Sequence, residues 1–399
     1  MSARVEILWF EGIAPERLGL LPAVQAMLGR GVDAHLRPLP LAEATNCYYQ
    51  TLTGLGSGKT GRFDAVRPVG YRPCADTETP EGVWRRLLPD VIRAGGRTAA
   101  LIEAPAAEAL DALAGAEADC VIARLRNAGD SDDGSLDAIV RRCVEQADHV
   151  IVLSDCWAPP LRRFVNVNNF LADVGFLDCE PDPRPGSIVR WAESLAYGVG
   201  AGQVWLNLRG REPQGVVAPG NEADEVRATL SDLLLNQWRD PETGAAVVAQ
   251  ALTRDEAYVG ELAFKAPDLV LIYHAGYVPS AHARALELDE ASVMPGQPDV
   301  LDLGAYHAAY PAARLIGAGP SLVCGAQISG RLVDFVPTML YLLGEPAPRF
   351  LDGEALTELF APAYRERTPL IESADDTATL SADEEDVIVG RLQALGYIG

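Results

Sequence analysis

Lysine is almost missing from this 399-residue chain: Lys59 and Lys265 are the two present, and arginine supplies the rest of the positive charge. Such a deficit reads as genomic composition bias rather than function. Histidine is scarce as well, at five residues. Acidic residues outnumber basic ones by 56 to 33, which leaves a formal net charge of −23. A surface of that sign repels phosphate backbones and anionic lipid. That argues against nucleic acid and membrane as partners and leaves a small-molecule substrate or ligand. No apolar run approaches the ~20 residues that span a bilayer. The opening MSARVEILWFEG lacks the apolar stretch and cleavage site of a signal peptide and reads as a strand that begins almost at once. The seven cysteines are odd in number and form no C-x-x-C pair. With no export signal, that implies reduced thiols and a cytoplasmic setting.

What is present is an alternation of short apolar runs with amphipathic stretches. VEILWF, RTAALIEAP (97–105), ADCVIARL (118–125), DHVIVLSD (148–155), QVWLNL (203–208) and DLVLIYH (268–274) read as buried strands. ERLGLLPAVQAMLGRG (16–31), VWRRLLPDVIRAGG (83–96) and SLDAIVRRCVEQA (135–147) have the helical period. Strand–helix alternation predicts an α/β fold: a doubly wound, mostly parallel sheet with helices on both faces. CEPDPRPG (179–186) is a loop, and the acidic stretch 372–386 reads as an exposed connection before a last helix. In open α/β sheets chemistry gathers beyond the carboxyl ends of strands. Two such ends carry carboxylates, Glu11 after the first strand and Asp155 in Ser154-Asp155-Cys156-Trp157. They either flank a site or cap the helices that follow.

TGLGSGKTGRF (53–63) raises the question of a phosphate-binding loop. The G-x-x-x-x-G-K-[ST] spacing needs a glycine at position 53, where Thr53 stands. The RFDAVRPVGYRP that follows has no helical period, whereas a P-loop opens a helix. An ordinary glycine-rich turn is the better reading.

A longer set of motifs points elsewhere. SDCWAPPLRRFVNVNNFLADVGFL (154–177), VWLNLRGREPQGVVAPG (204–220), LLLNQWRDPETGAAVV (233–248), APDLVL (266–271), VDFVPTMLYLLGEPAPRFLDGEAL (333–356) and the closing LSADEEDVIVGRLQALGYIG follow one another in register. Together they resemble the alkaline phosphatase superfamily, in its type I phosphodiesterase and phosphohydrolase/phosphomutase branch. The resemblance covers nearly the whole chain. It implies a core begun by 1–156, an insertion or cap at 157–265, and the remainder of the core with a C-terminal helix at 266–399. It also implies two divalent metals, usually zinc, roughly 4 Å apart at the strand tips, which activate a Thr or Ser nucleophile and stabilise the transferring phosphoryl group.

The sequence departs from that pattern at almost every ligand. The first-strand Asp is Glu11, and the His of S-D-H-G is Cys156, with Asp155 kept and Trp157 in place of Gly. The nucleophile position falls on Ala44, with Thr45 beside it. The gap expected to hold a D-x-x-x-H pair, RNAGDSDDGS, has no histidine. His307 is two residues out of register for the late histidine. On the same alignment TGLGSGKTGRF lies on a T-G-x-x-P-x-x-H-G segment, with Thr60 where His is usual.

Three readings stay open. In the first, the dizinc site is gone, no cofactor is needed, and Glu11 and Asp155 serve as acid and base, with Cys156, Thr45 and His307 as auxiliary donors or nucleophile. In the second, a pseudoenzyme binds a ligand or partner in the old cleft. In the third, Glu11, Asp155, Cys156 and His307 hold one zinc or other divalent ion that supports phosphoester hydrolysis. His35 and His149 read as structural, whereas His274 and His282 flank a G-Y-x-x-S-like turn that faces the cleft in one reading. Arg162, Arg163, Arg209 and Arg211 either bind an anionic group or pair with acidic residues.

Overall fold

A computed structural model describes residues 3–39, 44–61, 63–64, 66–75, 92, 97–126, 128–154, 161–180, 185–296 and 313–371. The predicted helix at 83–96, apart from Ile92, and the acidic stretch with its last helix lie outside the described residues.

The core is a seven-stranded sheet. Its order is Gln327–Arg331, Val32–Arg37, Ala313–Ala318, His149–Ser154, Val5–Phe10, Cys120–Arg126 and Ala99–Pro105. The strand Ala313–Ala318 runs against both its neighbours, and the other pairings are parallel. The predicted α/β class with a mostly parallel sheet is therefore what forms.

The central strands are apolar on both faces because both faces are covered. Side chains alternate across the sheet. Ile7, Trp9, Ile122, Ile151 and Leu153 pack on one side with the apolar helix Phe335–Leu343. Leu8, Phe10, Val121, Val150 and Val152 pack on the other with residues of the helices Pro22–Leu28 and Asp133–Gln146. The single helix expected over 16–31 is divided into Pro15–Leu18 and Pro22–Leu28. Pro22 has no N–H to donate and holds Leu21 extended (φ −61°, ψ 129°), which ends the first turn and starts the second. Asp132 caps the helix Asp133–Gln146 by accepting the Ser135 N–H at 2.9 Å.

A second body of structure has its own core. Four antiparallel strands are ordered Ala196–Val199, Gln203–Leu206, Leu269–Tyr273 and Val248–Thr253, and residues of the helices Asn221–Asn236 and Val167–Asp173 join their cluster. Leu269–Tyr273 thus pairs with strands of the 157–265 region, and the central sheet takes Ala313–Ala318 and Gln327–Arg331 from the C-terminal third. A small sheet of Tyr277–Pro279, Arg163–Val165 and Val293–Pro295 completes this part.

Candidate functional site

Six strands of the central sheet end at one edge, and the chain leaves Val5–Phe10 there through Glu11. The Glu11 N–H still bonds to Leu125 O at 3.1 Å, so the ladder with the neighbouring strand runs one residue past the assigned end. Trp9 is in register with Arg124, and Arg124 with Glu103. Glu11 lies two residues beyond Trp9 and shares its face. Trp9, Glu11, Arg124 and Glu103 therefore collect on one face of the carboxyl edge.

Arg124 is the centre of this group. Its Nη2 is 2.8 Å from Glu11 Oε2, its Nη1 is 3.6 Å from Glu103 Oε1, and its guanidinium carbon lies 5.4 Å from the centre of the Trp9 ring. The Glu11 side chain keeps 21% of its surface open, while Oε2 itself is enclosed. That oxygen is in ionic contact with the guanidinium without the alignment of a hydrogen bond. Sequence reading passes over Arg124. Its signal was a charged side chain inside the otherwise apolar run CVIARL, where a buried strand tolerates an ion only with a partner.

The other predicted residues stand as follows. Thr45 falls in the first turn of the helix Ala44–Thr53, whose Cys47 and Leu52 pack into the core beneath that face of the sheet. Asp155, Cys156 and His307 lie outside the described residues. The residues that flank these two stretches are joined at both ends. The Arg314 N–H bonds to Ser154 Oγ at 3.2 Å, and the Gly296 N–H to Arg162 O at 3.1 Å. Arg314 is spent on Asp33, with two nitrogen–oxygen contacts of 2.8 Å. Among the described residues no group of three or more His, Cys, Asp or Glu is placed to hold a metal ion.

The glycine-rich loop is bound from below. Lys59 Nζ lies 2.7 Å from Asp352 Oδ1 and donates to Phe350 O at 2.6 Å, and the Gly56 N–H donates to Asp352 Oδ2 at 2.8 Å. The cation and an N–H that a phosphate would need are already used.

The arginines of the motifs divide clearly. Arg211 of G-R-E-P grips the buried Asp268 of P-D-L, its Nη2 2.6 Å from Oδ2, and Arg254 holds the other carboxylate oxygen at 2.9 Å. Arg163 donates to the buried Asp240 of D-P-E-T-G at 3.1 Å and pairs with Glu242. Burial alone raises a carboxyl pKa, but the Glu242 N–H and the Arg163 guanidinium hold Asp240 below the usual carboxylate range. No carboxylate among the described residues pairs with Arg162.

His149 is buried at the start of its strand, with Nε2 accepting the Ser321 N–H at 3.2 Å, while His35 is exposed. His282 is half-exposed, its Nδ1 2.6 Å from the buried Asp289. The hydrogen bond to that carboxylate raises the imidazole pKa. Asn166 and Ser280 also donate to Asp289, so the N-x-N segment and the G-Y-x-x-S-like turn meet in one buried polar network.

No family model matches the chain, and no curated protein matches it in sequence. Solved structures do. Human ectonucleotide pyrophosphatase/phosphodiesterase 5 superposes with a TM-score of 0.53 at 11% identity, covering 90% of this chain and 99% of that one. The fold is alkaline-phosphatase-like. The murine counterpart gives 0.52 at 12% identity, and an inactive variant of it in complex with AMP gives 0.54 at 12%, each covering 90% of this chain and 100% of that one. At this identity the likeness is one of fold.

Proposed function

We propose that this chain takes a small phosphorylated or otherwise anionic substrate at the carboxyl edge of its central sheet and acts on it without a dizinc pair. In this reading Arg124 carries the positive charge that metal ions carry in two-metal members of the superfamily. The observation that supports it is the 2.8 Å contact between Glu11 Oε2 and Arg124 Nη2. Donor chemistry supports it too. The Arg124 guanidinium beside Glu11 repels a divalent cation on that carboxylate. As they stand, these residues do not fit such an ion, and no step is derived through one.

The chain's own groups then divide the work. Arg124 offers N–H donors to an anionic oxygen. Glu11 is a carboxylate that can accept a proton, and Asp155, next after Ser154, is its proposed counterpart as acid. Cys156, Thr45 and His307 are proposed as auxiliary donors, with Cys156 or Thr45 as the nucleophile if a covalent step occurs. A second reading, ligand binding without turnover, is favoured by the fact that Glu11 and Glu103 already neutralise Arg124.

The complex of the murine relative makes AMP the first probe. Wild type, Glu11→Gln and Arg124→Ala would be assayed with AMP and with aryl phosphate mono- and diesters, with and without chelator. Chelator-resistant turnover that falls at least ~100-fold in both variants is the expected result. Saturable binding with no turnover would leave the second reading. Turnover that requires stoichiometric metal would sink both.

A further inference from the structure

We propose a second anion site in the groove where the strand Arg163–Val165 meets the turns at 240–246 and 274–277. It would take a small phosphate- or carboxylate-bearing molecule, with Arg162 and His274 as the contacts. The groove has a volume of about 680 Å³ and is lined by Arg162, Arg163, Asp240, Thr243, His274 and Tyr277, with three alanines on the remaining wall. That size is within the range of small-molecule sites. Glu11, Glu103 and Arg124 do not line it, so the inference stands independently of the carboxyl-edge reading.

The acidic side of the groove is spent. Asp240 Oδ2 accepts from Arg163 Nε and from the Tyr277 hydroxyl, each at 3.1 Å. Its Oδ1 accepts the N–H groups of Glu242 and Thr243 at 2.9 and 3.4 Å. Glu242 is taken by the far end of Arg163. Both Asp240 oxygens already have donors, so neither is open to compete for Arg162.

The basic side is not spent. Arg162 is exposed and has no acidic partner among the described residues, although this chain carries 56 acids against 33 bases. Nor does its side chain trail loosely. Its backbone is pinned on both sides, the N–H to Gly276 O at 2.8 Å and the carbonyl by the Gly296 N–H at 3.1 Å. Its stem lies across Gly276, where an added Cβ would meet Arg162 Cγ at 2.8 Å and Cδ at 2.9 Å. Gly276 also has φ +90°, which a side chain would strain. The glycine thus holds a channel for the stem and sets the guanidinium at the groove. His274, exposed in the same turn, adds a ring N–H donor. A planar guanidinium fork with one further donor is the arrangement that recognises a carboxylate or a phosphate, and the alanines leave room for an organic remainder.

The test titrates inorganic phosphate and, separately, succinate into the full chain. Calorimetry and the ring ¹H–¹⁵N signals of His274 report binding. Expected are saturable binding of at least one anion and a loss of at least ~10-fold in Arg162→Ala, which is exposed and should fold. His274→Gln should weaken binding a few-fold, and in Glu11→Gln the His274 signals should titrate as in wild type. Gly276→Ala should weaken binding without removing a charge, which an accidental surface contact would not do. The preferred anion tells a phosphate ligand from a carboxylate one. No saturable binding of either anion, binding that Arg162→Ala leaves unchanged, or binding lost in Glu11→Gln but kept in Arg162→Ala would each overturn the proposal.

Discussion

Glu11 Oε2 and Arg124 Nη2 stand 2.8 Å apart on adjacent parallel strands, with about four-fifths of each side chain shielded from solvent. A shielded pair of this kind is costly to break from one side, because the remaining ion keeps its desolvation cost and loses its partner. Arg124→Gln should therefore destabilise the fold by about 1–3 kcal/mol, and Glu11→Gln/Arg124→Gln by less than the sum of the two single changes. Denaturant midpoints for the four-member cycle measure this. Additive effects would show that the two charges do not interact.

Lys59 is expected to be structural. Replacing it with Met removes the Asp352 contact and the bond to Phe350 O, at a cost of about 0.5–1.5 kcal/mol for a partly exposed pair. Affinity for AMP should stay within error of wild type. A tenfold loss of nucleotide binding in Lys59→Met would return the loop to a phosphate-binding role.

Asn166 is fully buried. Its Oδ1 accepts the Asn168 N–H at 2.9 Å and caps the helix Val167–Asp173, while its Nδ2 donates to Glu287 O and Asp289 Oδ2 at 2.9 and 2.8 Å. Asn166→Ala removes the cap and takes one donor from the buried Asp289, which Ser280 and His282 still hold, and one from Glu287 O. The expected cost is about 2–4 kcal/mol, read from the urea midpoint. A change below about 0.5 kcal/mol would mean that water replaces the amide at no cost.

Burial lowers the His149 pKa, against a weaker upward pull from Asp148. The unfolded chain takes up this proton near pH ~6.5, while the folded chain resists it to lower pH. The histidine's contribution is thus complete above that pH and is lost as pH falls towards the folded value. Wild type should lose stability as pH falls below about 6.5, and His149→Gln should show a shallower slope there. Equal slopes would show that other groups carry the acid sensitivity.

The sequence by itself determined the architecture. Short, largely apolar runs such as VEILWF and HVIVLS read as strands covered on both faces, and the amphipathic SLDAIVRRCVEQ as a helix against them. The order of the motifs from S-D-C-W to L-D-G-E-A-L resembled the alkaline phosphatase superfamily, and the superposition agrees in fold alone. The break that divides residues 16–31 was missed, although Pro22 carried its signal. These are local signals, fixed by periodicity and backbone restriction.

Partnership was decided by the tertiary structure alone. Nothing near Glu11 in the chain says that Arg124 comes to rest beside it, because that follows from the register of two parallel strands joined by a long crossover. The sequence equally left open that Lys59 would meet Asp352, or that of two adjacent arginines Arg163 would be consumed by Asp240 while Arg162 has no acidic partner among the described residues. Charge pairing acts over a few ångströms between residues far apart in sequence. Only the folded chain decides which ions are neutralised and which remain to meet a ligand.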